Sequence, residues 1–178
     1  MSGHNKWSQI KDRKGEQDAK RSLSYSKLLA VIALHAKLDP NPDTNLKLRS
    51  AIERARAGNV PLDNINRAIN KASEAKDLTE VTIEAYGPEG VGIIIEAITD
   101  NSNRTVSEIR HLLDEKGAKM ATQGSVMWSF DPPAGGNGEW KAKFTQAMTP
   151  EGKTKLLSIK EALGEHNDVQ NVMTNEQL

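Results

Sequence analysis

The spacing of the apolar residues changes once along this chain, near residue 75. Upstream, apolar positions recur every three or four residues. Leu28, Ile32 and His35 fall at i, i+4 and i+7, and Val31, Leu34 and Leu38 widen the stripe. Leu48, Ile52 and Ala55 repeat the pattern, as do Ile65, Ala68, Ile69 and Ala72. Downstream, Val81, Ile83 and Ala85 alternate with Thr82, Glu84 and Tyr86. A period of about 3.6 buries one face of a helix, and a period of about 2 buries one face of a strand. The two parts must differ in architecture, and the chain reads as α+β.

Breakers and caps divide each part. Residues 1–15 carry no period and read as a basic arm, extended or ordered only by docking. A helix is expected from about Asp18 to Leu38, ended by Asp39-Pro40-Asn41-Pro42. A second runs from about Thr44 to Ala57 with Gly58-Asn59 as its cap, and Pro61 opens a third. These form a bundle over residues 16–75. Ala75 to Glu80 reads as a charged linker. Residues 76–178 then read as β-β-α-β-β-α-β: Val81–Tyr86, Val91–Ile98, a helix opened by a Thr105/Glu108 capping box, Val126–Phe130, Trp140–Phe144, a helix from Thr149-Pro150, and a weaker strand over Val169–Met173. Val126, Trp128 and Phe130 would face one side of the third strand. In the fourth, Lys141 and Lys143 would point outward and Trp140, Ala142 and Phe144 inward. Without its first strand this is the βαββαβ order. The expectation is a three-helix bundle followed by a ferredoxin-like domain with an extra strand, two helices covering one face of an antiparallel sheet.

Composition removes several functions. With no cysteine there is no disulfide framework, zinc ribbon or thiol nucleophile. No apolar run approaches the ~18 residues of a membrane span, and the N-terminus lacks a signal-peptide core, so a cytoplasmic location is expected. The formal net charge is zero, from 24 Lys+Arg and 24 Asp+Glu. The zero conceals a division. Residues 1–75 hold 14 cations and 8 anions, and residues 76–178 hold 10 and 16. The surplus of six cations concentrates in Lys6, Lys11, Arg13, Lys14, Lys20, Arg21 and Lys27. Such a sign asymmetry marks either a polyanion-binding module or a solvated helix face.

Catalytic patterns fail one by one. Gly152-Lys153-Thr154 lacks the first glycine of a phosphate loop, since Ala147 stands there. Gly87-x-x-Gly90-x-Gly92 joins two strands instead of opening a helix. Asp100-Asn101-Ser102-Asn103-Arg104 lacks the glycine and closing glutamate of a calcium loop, with Thr105 and His111 in their places. That turn reads as a cap, and Arg104 beside its backbone N–H groups is a candidate phosphate contact. His4, His35, His111 and His166 match no metal spacing. No enzyme, metal, cofactor or small-molecule substrate is expected.

Ser2-Gly3-His4-Asn5-Lys6-Trp7 resembles the opening signature of the YebC/PmpR family, which includes the mitochondrial translational activator of cytochrome c oxidase. The resemblance continues through Asp18-Ala19-Lys20-Arg21, Asn45–Lys71, Tyr86–Thr105, Gly124–Phe130 and Asp168–Asn175. It implies a helical N-terminal domain, following α/β domains and no enzymatic activity. It implies one of two roles: a DNA-binding transcriptional regulator, or a translation factor that helps ribosomes through sequences such as proline runs. Familiar members insert a further domain after the strand ending near Phe130. Here only a loop over 131–139 occupies that place, so a short form is expected. Asn5 also stands where the family usually has serine.

On the first role, Lys6, Lys11, Arg13, Lys14, Lys20 and Arg21 would lie along rRNA or tRNA phosphates. Trp7 would either stack on a base or pin the arm to the bundle. Lys119 and Met120 sit in a segment, Lys116–Ser125, that is either an RNA-probing loop or an ordinary helix-to-strand connection. On the second role, helices two and three form a loose helix-turn-helix offering Asn64, Asn66, Arg67, Asn70 and Lys71 to DNA, with Asp63 close to where bases would be read. A third reading is a protein–protein adaptor using the acidic domain. A monomer with no membrane partner is expected.

Overall fold

A computed structural model describes residues 4–74, 77–133 and 140–177, with side chains described from residue 14 onward. The chain divides into two compact units, Met1–Ala75 and Lys76–Leu178.

The first unit is three helices: α1 over His4–Leu38, α2 over Leu46–Ala57 and α3 over Leu62–Asn70. The helix expected from Asp18 thus begins at His4, and most of the arm read as lacking regular structure is helical. Propensity explains the difference. Gln9, Lys11, Arg13, Lys14, Glu16, Gln17, Ala19, Lys20 and Arg21 are good helix formers, and no proline intervenes before Pro40. A helix built on propensity leaves no apolar period to read. Among the described residues, its C-terminal part packs. Ile32 and Ala36 are buried against Leu48, Ala51, Ile52 and Ala55 of α2 and Ile65 of α3, with Tyr25, Leu28, Leu29 and Val31 at the margin. Residues 14–22 are exposed at every position.

Two contacts fix the bundle's turns. Asn45 accepts the N–H of Leu48 at 3.0 Å and donates to the carbonyls of His35 and Asp39, so one side chain starts α2 and closes α1. A Cβ at Gly58 would lie 2.8 Å from Leu28 Cδ1, so glycine admits α1 to the α2–α3 turn. The Tyr25 hydroxyl donates to the Asn59 carbonyl there at 2.7 Å.

The second unit is a four-stranded antiparallel sheet in the order β3-β1-β2-β6, with a separate two-stranded ribbon β4–β5. The strands are β1 Thr79–Tyr86, β2 Gly92–Thr99, β3 Lys119–Met120, β4 Phe130–Asp131, β5 Lys141–Ala142 and β6 Val169–Thr174. Helices α4, Ser102–Glu115, and α5, Pro150–Glu165, cover one face. Their Ile109, Leu113, Leu156, Ile159 and Leu163 pack on Ile83, Ala85, Ile93, Ile95 and Ala97. The α+β class and the helix-covered antiparallel sheet agree with the sequence reading. The strand assignment does not. β2-α4-β3 is a split βαβ unit with β1 inserted between parallel β2 and β3. The strand set aside as additional is therefore central. β6, expected to be weak, is a six-residue edge strand paired along β2.

The uncovered face explains the remaining differences. Glu84 points there and is 3% exposed. Its carboxylate accepts the backbone N–H groups of Gly124, Val126 at 2.6 Å and Met127 at 2.9 Å. Those N–H groups are spent on a side chain, so Val126–Phe130 forms a turn followed by two paired residues, not the expected third strand. The fourth strand shrinks likewise to Lys141–Ala142, paired as Phe130 with Ala142 and Asp131 with Lys141. Val126, Phe130 and Trp140 fold back on Ile94 and Met173. Trp128, expected on the same side as Val126 and Phe130, is 64% exposed, and Phe144, expected inward, is 50% exposed. The capping box also moves. Asn101 accepts the Arg104 N–H at 3.1 Å and caps α4, while Thr105 is buried within its first turn.

At the other end of the β1–β2 hairpin, Glu89 has φ 57° and accepts the Thr149 N–H at 2.9 Å together with the Thr149 hydroxyl. Those bonds hold its carboxyl below the usual range. Thr149 in turn caps α5 by accepting from Gly152 N–H at 3.1 Å, with Pro150 in the first turn, as the sequence indicates.

Replacing Glu84 by Gln turns one acceptor into a donor facing backbone N–H groups. The expected outcome is a loss of about 2–4 kcal/mol in chemical denaturation, from hydrogen bonds to a charged acceptor and an unsatisfied buried group. An unchanged midpoint would show that the loop does not depend on this carboxylate.

Candidate nucleic-acid interface

Helical geometry gives the N-terminal cations a register. Positions 6, 13 and 20 repeat at seven-residue intervals, as do 7, 14 and 21. Each step advances about 10.5 Å along the axis and drifts about 20° around it. Lys6, Arg13, Lys20, Lys14 and Arg21 therefore occupy positions within about a third of the helix circumference. Asp12, Glu16 and Asp18 occupy positions outside that sector. Lys11 falls in the row of Asp18 and is not brought together with the others. Lys14, Lys20 and Arg21 are exposed. The side chains of Lys6, Trp7, Lys11 and Arg13 lie outside the described residues. Farther along, burial lowers the Lys27 ammonium below its usual value.

On α3, Arg67 and Lys71 are exposed and lie one turn apart, with Asp63 exposed in the first turn. Lys71 is the C-terminal cap residue, its backbone N–H donating to the Arg67 carbonyl at 3.0 Å.

The second unit treats its three candidates differently. Arg104 is exposed but paired with carboxylates. Its Nη2 donates to Asp168 at 2.8 Å and lies 3.1 Å from Asp100, and Nε lies 3.9 Å from Glu108. The bond to Asp168, then its charge, raises the guanidinium's already high pKa. Burial pushes the Asp168 carboxyl up, but hydrogen bonds from Thr105 and Arg104 outweigh it and leave the group below its usual value. Arg104 thus ties the N-terminus of α4 to the start of β6. His166 joins the cluster through Glu108 at 3.0 Å and accepts the Asp168 N–H at Nδ1. Glu108, His166 and Asp168 offer ligand atoms within 4.8 Å of one another. The Arg104 guanidinium already fills the positive role among them.

Lys119 is exposed on β3, directly opposite Tyr86. Met120, one residue on, faces the other way. It is half-buried against the helix-side core, with Arg110 Nη2 3.6 Å from its sulfur. Lys119 and Met120 therefore belong to a strand, with only the following residues forming the loop.

Sequence reasoning passed over Glu84 and the aromatic residues it positions. Trp128 Nε1 and the Tyr86 hydroxyl both donate to the Ser125 carbonyl, at 2.7 and 2.6 Å. Alternation across residues 126–130 pointed to a strand, and nothing local signalled the distant carboxylate.

Residues 5–75 match the family model described as TACO1/YebC protein N-terminal domain, and residues 78–134 match TACO1/YebC second and third domain. The chain belongs to the TACO1/YebC family. A protein of Petrotoga mobilis named "Probable transcriptional regulatory protein" is 48% identical over 135 residues, covering 74% of this chain and 54% of that protein. One of Thermotoga maritima with the same name is 49% identical over 135 residues, covering 74% and 53%. The chain thus spans about half the length of the curated relatives it matches. The crystal structure of a conserved hypothetical protein from Aquifex aeolicus superposes with a TM-score of 0.80 at 29% identity, covering 90% of this chain and 91% of that one. The first family match spans α1–α3, and the second runs from the start of β1 past β4. Where a family insertion is expected, Asp131 pairs directly with Lys141. No helix among the described residues is long and apolar enough to cross a membrane.

The Arg104 cluster makes an acid-side prediction. A folded-state pKa below the ordinary 3.8 of Asp168 gives stability that is present above that value and lost as pH falls through the folded one. In Asp168→Asn, unfolding free energy measured below pH 4 should fall less steeply with acid than in the parent. Parallel acid limbs would show that Asp168 is not tuned by Arg104 and Thr105.

Proposed function

We propose that this chain is a non-enzymatic, cytoplasmic regulator of gene expression that binds RNA on the ribosome as a monomeric translation factor, of the kind that relieves stalling at sequences such as proline runs. The observation that carries this reading is the cationic sector of α1, on a stretch whose described positions are all exposed. An isolated helical segment of this length is marginal in water, and a polyanion along its basic side would stabilise it. Double-stranded and structured RNA are recognised largely through backbone and shape, which suits a row of cations without base-reading partners.

A DNA-binding role is the second reading, favoured by the names of the relatives. The geometry of α3 weighs against base-specific readout. Asp63 is exposed in the first turn, where a recognition helix meets base edges, and Arg67 and Lys71 are the cations on its exposed side. Contacts from these two would serve phosphates.

Sedimentation with ribosomes, set against mobility shifts on duplex DNA at physiological salt, separates the readings. Nanomolar sequence-selective DNA binding without ribosome association would end the first. Replacing Lys14, Lys20 and Arg21 by alanine should reduce the salt dependence of RNA binding by about two to three phosphate contacts. Gln17→Pro keeps every charge but breaks α1 within its exposed stretch. It should weaken binding while leaving the bundle's unfolding unchanged. Full affinity in that variant would show that helical register is irrelevant.

A further inference from the structure

The second unit carries an exposed aromatic cluster that the α1 reading does not use. Trp128 is 64% exposed, Phe144 50% and Tyr86 39%. The Trp128 and Phe144 rings lie 5.5 Å apart, tilted by 42°. Tyr86 adjoins them through the Ser125 carbonyl that it shares with Trp128.

The Trp128 and Phe144 rings are held outward by bonds that leave each of them at least half exposed. The Trp128 indole is fixed by its Nε1–H on Ser125, whose loop hangs from buried Glu84. Phe144 is fixed through its backbone. Its N–H donates to Ser129 at 3.2 Å, and its carbonyl accepts from Asn175 Nδ2 at 3.0 Å. Asn175 in turn accepts the Gly92 N–H at 2.7 Å, which anchors the segment to β2. Two rings kept in water at fixed positions have already met the ordering cost of binding a flat partner.

Lysines lie beside them. Lys143 Nζ lies 5.5 Å from the Phe144 ring centre. Lys119 is on the strand position paired with Tyr86, and Lys141 is exposed on the ribbon beside Lys143. Asp131 stands opposite Lys141, and Glu84 and Glu96 are engaged with backbone N–H groups and with Trp140 and Asn171. This locally basic, aromatic surface lies on a unit whose overall balance is acidic.

We propose that Trp128 and Phe144 form a stacking platform for unpaired bases of single-stranded RNA, with Lys119, Lys141 and Lys143 along its phosphates. Aromatic faces interleaved with cations are the chemistry that binds single strands without regard to sequence. The occupant is RNA because a platform on an open surface needs bases already out of a duplex, as RNA loops and ends provide. This inference rests on the RNA-binding reading above but uses a separate surface.

The test compares the full chain on three probes: a mixed-sequence RNA single strand of about 12 nucleotides, an RNA duplex of the same length, and the matching DNA single strand. The double variant Trp128→Ala/Phe144→Ala should lose about ten- to a hundredfold in affinity for single-stranded RNA. Its duplex affinity should stay within about twofold, because duplex binding is carried by phosphate contacts. The conservative pair Trp128→Phe/Phe144→Tyr should retain single-strand binding. If the alanine pair does not fold, Lys141→Ser/Lys143→Ser serves instead and should lower the single-strand salt dependence by about two phosphate contacts. Wild-type single-strand affinity in the alanine pair, an unchanged salt slope in the lysine pair, or preference for the DNA strand overturns the platform. If the parent binds neither RNA probe, the RNA-binding reading itself fails. If the α1 variant loses duplex binding while the aromatic pair matches the parent on every probe, only the platform fails.

Discussion

A buried carboxylate organises the second unit. Glu84 sits on the central strand β1, facing away from the helices, and takes three backbone N–H groups from a loop 40 or more residues downstream. A carboxyl group at that depth is tolerable only with such a set of donors. Satisfying it consumes the hydrogen bonds that would have made a strand of residues 126–130. The chain turns instead, folds Val126 and Phe130 onto Ile94, and starts the β4–β5 ribbon. Trp128 is left outside by the same turn. One buried side chain thus determines the loop, the β4–β5 ribbon and the exposed aromatic surface together.

The first unit follows a different logic. Its core uses the last part of α1, and the described positions before it, residues 14–22, are exposed and helical by propensity. Such a segment is weakly committed, and its order is open to whatever binds it. Its cations gain meaning from the helix. In an extended arm Lys6, Arg13 and Lys20 would project in unrelated directions, whereas in α1 they repeat every two turns. The acidic balance of the second unit, with a local basic patch around Phe144, would limit non-specific adhesion while leaving one more place for a strand to settle.

Arg104 shows how tertiary partners redirect a residue. In sequence it stands at a helix start, beside backbone N–H groups suited to phosphate. In the fold Asp168, brought in by the last strand, takes the guanidinium together with Asp100 and Glu108. Met120 is a similar case. A two-residue strand turns it onto the core and leaves Lys119 outward. Neither outcome has a local signal, since each depends on a pairing partner far along the chain.

The sequence by itself determined the elements whose burial repeats locally: α2, α3, β1, β2 and α5, the Thr149-Pro150 start and the change of period near residue 75. It determined the opposite charge of the two parts and, through ordered motifs, the family. Only the tertiary structure decided that β1 is central, that Arg104 pairs with Asp168, and that Trp128 and Phe144 face solvent. Periodicity reports which side of an element is buried. It cannot report which distant group claims a backbone N–H or a guanidinium, and here those long-range claims decide what is left on the surface to bind.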